Sequence, residues 1–200
     1  MQSPDAMKTE IRLAGTGGQG VILASVILAE AAGVYEGRKV VQTQSYGPEA
    51  RGGASRADVI ISDEPILYPK CRRLDVLVCL SQASAEKYFE DLKVRGTAVI
   101  DSFYVRECPR EGAICVPMTE TARAELGREL FTNIVMLGVL AQITGAVKLE
   151  SLEKAVANRA PAKTLELNKK ALALGWQLGE SHRLPAGHRR DREGQGHEQA

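Results

Sequence analysis

Apolar positions along the chain fall into short blocks of strand length and longer blocks of helix length. Ile11-Arg12-Leu13-Ala14 predicts a strand, and the apolar run Val21 to Ala32 predicts a buried helix that Gly33 would stop. Lys39 to Gln44 alternates weakly and opens on β-branched residues, so it reads as a second strand, with a third over Arg56 to Ser62. Leu74 to Leu80 is an apolar run of strand length, followed by a polar-faced helix over Gln82 to Val94. Thr97 to Asp101 and the shorter Ala113 to Pro117 predict two more strands. Ala122 to Thr144 reads as helix interrupted near Gly127 and Thr132; Leu149 to Arg159 and Ala162 to Leu178 give two further helices, parted by Pro161.

Strands alternating with helices predict an α/β chain: a three-layer Rossmann-like domain with a largely parallel sheet. The expected organisation is one α/β domain over residues 10–180. Residues 181–200, rich in charge, glycine and histidine, are expected to form a disordered tail. The apolar helix Ile134 to Ile143 has two readings, an interface element or part of the chain's own core.

Composition narrows the function. The 26 basic and 25 acidic side chains leave a net charge of +1, which gives no electrostatic case for nucleic acid or an acidic membrane. Aromatic residues are only 4%, too few for a base-stacking platform. No stretch resembles a leader or a membrane span, so a cytoplasmic protein is expected. Cys71, Cys79, Cys108 and Cys115 form no C-x-x-C pair and no metal-ligand spacing, which predicts reduced cysteines and no metal site. Cys71 carries one further expectation: its neighbours Lys70, Arg72 and Arg73 would favour a thiolate.

Gly15-Thr16-Gly17-Gly18-Gln19-Gly20 follows a predicted strand and opens a predicted helix. Glycines let the backbone turn tightly and approach a ligand, and the helix start beyond them offers unpaired amides to a phosphate. Gly15, Gly17 and Gly20 match the dinucleotide spacing, but strand two has no acid to hold ribose hydroxyls, which disfavours nicotinamide and flavin dinucleotides. No Lys-Ser/Thr follows, so a P-loop is excluded. Two readings stand: a phosphate cradle, or a tight turn that packs without a ligand. Gln19 fits packing less easily and reads as a hydrogen-bonding partner for a ligand or another subunit.

Ser45-Tyr46-Gly47-Pro48-Glu49-Ala50-Arg51-Gly52-Gly53 is a second shaped loop with polar groups of every kind. It is expected at the same carboxyl edge of the sheet, facing the glycine loop. Arg51 suits a phosphate through its planar fork, or an ion pair with Glu49 or a partner subunit. No histidine or cysteine lies near to complete a nucleophile pair; His182, His188 and His197 all belong to the charged C-terminal stretch. No catalytic residue is assigned to this chain.

The two loops in this order resemble the gamma subunits of 2-oxoacid:ferredoxin oxidoreductases. Val59-Ile60-Ile61-Ser62-Asp63, Tyr68-Pro69, Asn133 with Ile134 to Leu140, and Asn168-Lys169-Lys170-Ala171 with Gly175 are similar to that family too. The resemblance runs from Glu10 to Gly179 and looks closest to the 2-oxoglutarate branch. It implies oxidative decarboxylation of a 2-oxoacid to acyl-CoA with reduction of ferredoxin. Thiamine diphosphate, magnesium and iron–sulfur clusters would sit on partner alpha, beta and ferredoxin-like delta subunits. Coenzyme A is the implied ligand of this chain, with Gly15, Thr16, Gly17, Gly18, Gln19, Gly20, Ser45, Tyr46 and Arg51 as candidate binding residues, and an isolated homo-oligomer is also compatible. The alternatives are a stand-alone nucleotide-binding sensor, or the same subunit of a pyruvate or indolepyruvate enzyme.

Overall fold

The computed structural model describes residues 7–45 and 54–182. Six strands form one sheet in the order β2-β3-β1-β4-β5-β6: β1 (Lys8–Thr16), β2 (Lys39–Ser45), β3 (Ala54–Ser62), β4 (Leu74–Cys79), β5 (Leu92–Asp101) and β6 (Ile114–Val116). β1, β4, β5 and β6 are parallel neighbours. β3 runs antiparallel to both β1 and β2, so it alone is reversed and the sheet is largely parallel. Only residues 46–53 join β2 to β3, too short a connection for a crossover, so the chain returns antiparallel.

Alternation along β1 divides the interior. Ile11 and Leu13 enter a large core shared with α1 (Val21–Glu30), α3 (Met118–Leu126), α4 (Thr132–Thr144), α5 (Leu149–Arg159) and α6 (Leu165–Ser181). Ala14 enters a smaller core on the other face, closed mainly by α2 (Gln82–Tyr88) and the turn at Phe89. The three layers are therefore uneven. α4 is buried along nearly its whole length, which resolves it as core rather than an interface. It packs so closely on α6 that a Cβ at Gly175 would lie 2.0 Å from the carbonyl oxygen of Val135.

Local patterning misjudged several boundaries. α2 ends at Tyr88 and β5 begins at Leu92, because Leu92 pairs with Leu74 and buries its side chain in the smaller core. The helix expected over Ala122 to Thr144 begins earlier, at Met118, while its breaks fall where expected, α3 ending before Gly127 at φ 71 and α4 starting at Thr132. Gly33 does not stop α1; a π turn carries the chain on through Tyr35, and the reversal comes at Gly37, φ 69. No helix among the described residues is long and apolar enough to cross a membrane.

Candidate functional site

β1 and β4 are parallel neighbours whose following helices pack on opposite faces, α1 on the larger core and α2 on the smaller. That divergence opens a crevice at the carboxyl ends of the two strands, the usual ligand position in such sheets. A cleft of about 700 Å³ lies there. The glycine loop from Thr16 to Gln19 forms one wall, Ser81 to Ala83 at the start of α2 a second, and Tyr104, Thr119, Glu129, Leu130 and Thr132 the third.

The loop is held from inside. Gln19 Oε1 accepts from the Thr16 amide at 2.7 Å and from the Thr16 hydroxyl at 3.1 Å, while its Nε2 donates to the carbonyl of Leu80 at 2.9 Å. The side chain read as a ligand or partner contact braces the loop against β4 while also lining the cleft. A Cβ at Gly15 would sit 2.5 Å from Gln19 Oε1, and one at Gly20 would sit 2.6 Å from Asn133 Nδ2. Asn133, buried on α4, donates to the Gly20 carbonyl at 3.3 Å and fixes the start of α1. Those two glycines are explained by packing. Gly17 and Gly18 are not: both are exposed, and a Cβ on either would meet nothing within 4 Å, although Gly18 at φ 92 holds a left-handed backbone that itself favours glycine. They form the tip that faces the cleft, ahead of a helix start whose cap, Gly20, supplies no side-chain acceptor.

The opposite wall carries a neutralised acid. Glu129 accepts from Tyr104 Oη at 3.0 Å and from Arg123 Nη2 at 2.7 Å, and these bonds, Arg123 first, hold its carboxyl below the usual range. Arg123 also stacks 4.5 Å from the centre of the Phe103 ring. Behind Thr119 lies Asp101, fully buried at the end of β5. Its Oδ1 accepts from the Thr119 amide at 3.0 Å, which caps α3, and its Oδ2 has no partner among the described residues. Burial pushes its carboxyl up. Asp101, Tyr104, Arg123 and Glu129 were not selected from the sequence, and nothing in their spacing marks them.

Ser45 is not brought to this cleft. It lines a second hollow of about 390 Å³ on the α2 face of the sheet, with Arg12, Arg56, Asp58 and Cys71. The reason is the reversed β3, which lies between β1 and β2 and separates their ends. Both strands still finish at one sheet edge, since Thr16 pairs with Ala54 and Ser45 with Arg56. Tyr46, Glu49 and Arg51 lie outside the described residues, as do His188 and His197. In the second hollow Arg12 grips Asp58 twice, at 2.7 and 2.9 Å, and also bonds Asp91. Burial pushes the Cys71 thiol up to about 12, with the Asp58 and Glu10 carboxylates adding to it, so Cys71 is a neutral thiol. The basic neighbours that suggested a thiolate are outweighed. No group of three or more His, Cys, Asp or Glu side chains among the described residues is arranged to hold a metal.

Comparison with known proteins gives a consistent likeness. The family model described as pyruvate ferredoxin/flavodoxin oxidoreductase matches residues 10–178. The 2-oxoglutarate synthase subunit KorC of Methanocaldococcus jannaschii is 46% identical over 178 residues, 87% of this chain and 95% of that one. The ketoisovalerate oxidoreductase subunit VorA of Methanothermobacter marburgensis is 34% identical over 88% of this chain, but only 37% of its own length is matched. Among solved structures, the gamma subunit of a keto/oxoacid ferredoxin oxidoreductase from Geobacter sulfurreducens superposes with a TM-score of 0.81 at 43% identity, covering 89% of this chain and 99% of that one. A chain of the 2-oxoglutarate:ferredoxin oxidoreductase of Magnetococcus marinus, solved with 2-oxoglutarate, coenzyme A and succinyl-CoA bound, shares the fold at TM-score 0.78 and 24% identity, over 87% of this chain and 31% of that one.

Proposed function

This chain belongs to the pyruvate ferredoxin/flavodoxin oxidoreductase family as the gamma subunit of a 2-oxoacid:ferredoxin oxidoreductase, and from that premise we propose that its enzyme acts on 2-oxoglutarate and that its glycine loop holds coenzyme A. The reaction takes 2-oxoglutarate, coenzyme A and oxidised ferredoxin to succinyl-CoA, carbon dioxide and reduced ferredoxin. Higher identity to a 2-oxoglutarate synthase subunit than to a ketoisovalerate subunit supports the choice of oxoacid.

The observation that carries the coenzyme A reading is the division of labour among the loop glycines. Gly15 and Gly20 have no room for a Cβ, whereas Gly17 and Gly18 leave space at the tip. Bare backbone beside an open cleft and a helix start is what a pyrophosphate needs: amide donors, a positive helix end and no side chain in the way. Arg123 cancels the charge of Glu129 across the cleft, so that wall does not repel an anion. The precedent of coenzyme A in a complex that contains the same fold agrees.

Within this reading the chain binds and positions. Thiamine diphosphate with magnesium supplies the carbanion chemistry and iron–sulfur clusters carry the electrons. We assign both to alpha, beta and delta subunits, because the described cysteines and carboxylates offer no cluster site. Ferredoxin is the external electron acceptor, and the cytoplasm is the compartment that suits these partners.

The test is the assembled complex with Gly17→Asp, which fits without a clash and puts a carboxylate where a phosphate would bind. The expected result is a rise in KM for coenzyme A of at least about tenfold, with KM for the oxoacid and the melting temperature unchanged. An unchanged KM for coenzyme A would overturn the ligand assignment. Preference for pyruvate over 2-oxoglutarate in the wild-type complex would overturn the oxoacid.

A further inference from the structure

α1 has no polar outer face. Its polar side chains, Ser25 and Glu30, are buried together with Val21, Ala24, Ile27 and Leu28. Ser25 accepts from Gln42 at 2.9 Å, and Glu30 is held by Asn158 and Arg159 of α5. The residues α1 leaves at least partly open are all apolar: Ile22, Leu23, Val26 and Ala29. Leu23 is 47% exposed, and Val34, in the π turn that follows, is 70% exposed. Beside this face runs β2, the terminal strand of the sheet, whose outer edge pairs with no described strand. Val26, Ala29, Val34 and Val40 line one side of a groove of about 340 Å³ between helix and strand, with Glu30, Gln42 and Arg159 as its polar lining. A helix that is apolar all round belongs in an interior, and an uncovered strand edge beside it is a liability unless something covers both.

The covering chain is indicated by the relatives. In the ketoisovalerate relative the matched domain is only 37% of a longer polypeptide, and in the Magnetococcus chain the same fold is 31%. There the domain's neighbours are tied to it covalently. In the KorC relative, by contrast, the matched domain is 95% of the chain. We propose that the α1–β2 face is the docking surface for the subunit that corresponds to the remainder of the ketoisovalerate chain. Because Gly20 caps the start of α1, a subunit seated on Leu23 also sits beside the glycine loop, so assembly would complete the mouth of the cleft. The proposal rests on the subunit reading above and is independent of the identity of the small ligand.

The experiment is coexpression of the tagged chain with that subunit, followed by the dissociation constant of the purified pair. Leu23→Glu and Val34→Glu place a charge on the face at positions already open to water, so the isolated chain should melt as wild type does. Each is expected to weaken binding at least about tenfold. Leu67→Glu, at a residue 89% exposed elsewhere, is expected to leave binding unchanged. Wild-type affinity in both face variants would overturn the surface while leaving the subunit reading intact. A wild-type chain that does not bind that subunit would overturn both. If the isolated chain is a dimer that Leu23→Glu dissociates while heteromeric binding persists, the face belongs to a second copy and the proposal fails.

Discussion

Gln19 reaches across from the loop after β1 and donates its side-chain amide to the carbonyl of Leu80, 2.9 Å away at the end of β4. The same side chain accepts from both the amide and the hydroxyl of Thr16. One residue therefore sets the shape of the loop and its distance from the opposite wall of the cleft.

Gln19→Ala should loosen the loop without unfolding the domain. Three hydrogen bonds are lost and the Leu80 carbonyl is left to water or to no partner, a cost of about 1–3 kcal/mol. A lower melting temperature together with weaker coenzyme A binding is expected from thermal denaturation and isothermal titration. A stable variant with native affinity would show that the brace is dispensable.

The loop glycines should separate by position. Gly15→Ala forces a methyl group to 2.5 Å from Gln19 Oε1, and Gly20→Ala adds left-handed backbone strain at φ 70 to a contact with Asn133. Each should destabilise by about 1–3 kcal/mol in urea titrations. Gly17→Ala has open space and no positive φ, so its midpoint should match wild type. Equal effects at all three positions would contradict this ordering.

Asp101 should impose a pH dependence of opposite sign to the usual carboxylate. Burial lifts its folded pKa above the ordinary 3.8, so between the two values the unfolded chain binds fewer protons than the native one. Its contribution is most favourable below 3.8 and is lost as pH rises through the folded value. The stability of wild type minus that of Asp101→Asn should therefore fall as pH rises from about 4 to neutrality. Chemical denaturation at a series of pH values measures this difference; a flat or rising difference would show that the Thr119 amide compensates the burial in full.

Arg12 and Asp58 form a buried pair, with side chains 4% and 10% exposed. Burial lowers the arginine pKa, and the bonds to Asp58 and then Asp91 more than restore it, so Arg12 remains charged. Arg12→Met leaves Asp58 buried without its partner and should cost about 3–5 kcal/mol. Arg12→Met combined with Asp58→Leu should recover most of that loss, because no charge is then stranded. A double variant as unstable as the single one would mean that the pair is needed for packing and not merely for charge balance.

The sequence by itself determined the α/β class, the strand–glycine loop–helix unit and the family, because these depend on local periodicity and on residues contiguous in the chain. The spans Val21, Lys39 and Leu149 as element starts were legible for the same reason. Only the tertiary structure decided where α2 gives way to β5, since burial of Leu92 against a distant strand overrides the local helical pattern. It likewise decided that Gln19 faces inward, because its partner Leu80 follows the neighbouring strand β4, and that Ser45 sits in another hollow, because β3 reverses between β1 and β2. Asn133, Asp101 and Glu129 join the site from positions far along the chain, and only packing brings them to it. Outward exposure of the apolar residues of α1 was hidden as well: a helix apolar on every side reads as buried, and which side lacks a neighbour is settled only once the sheet and the other helices have taken their places.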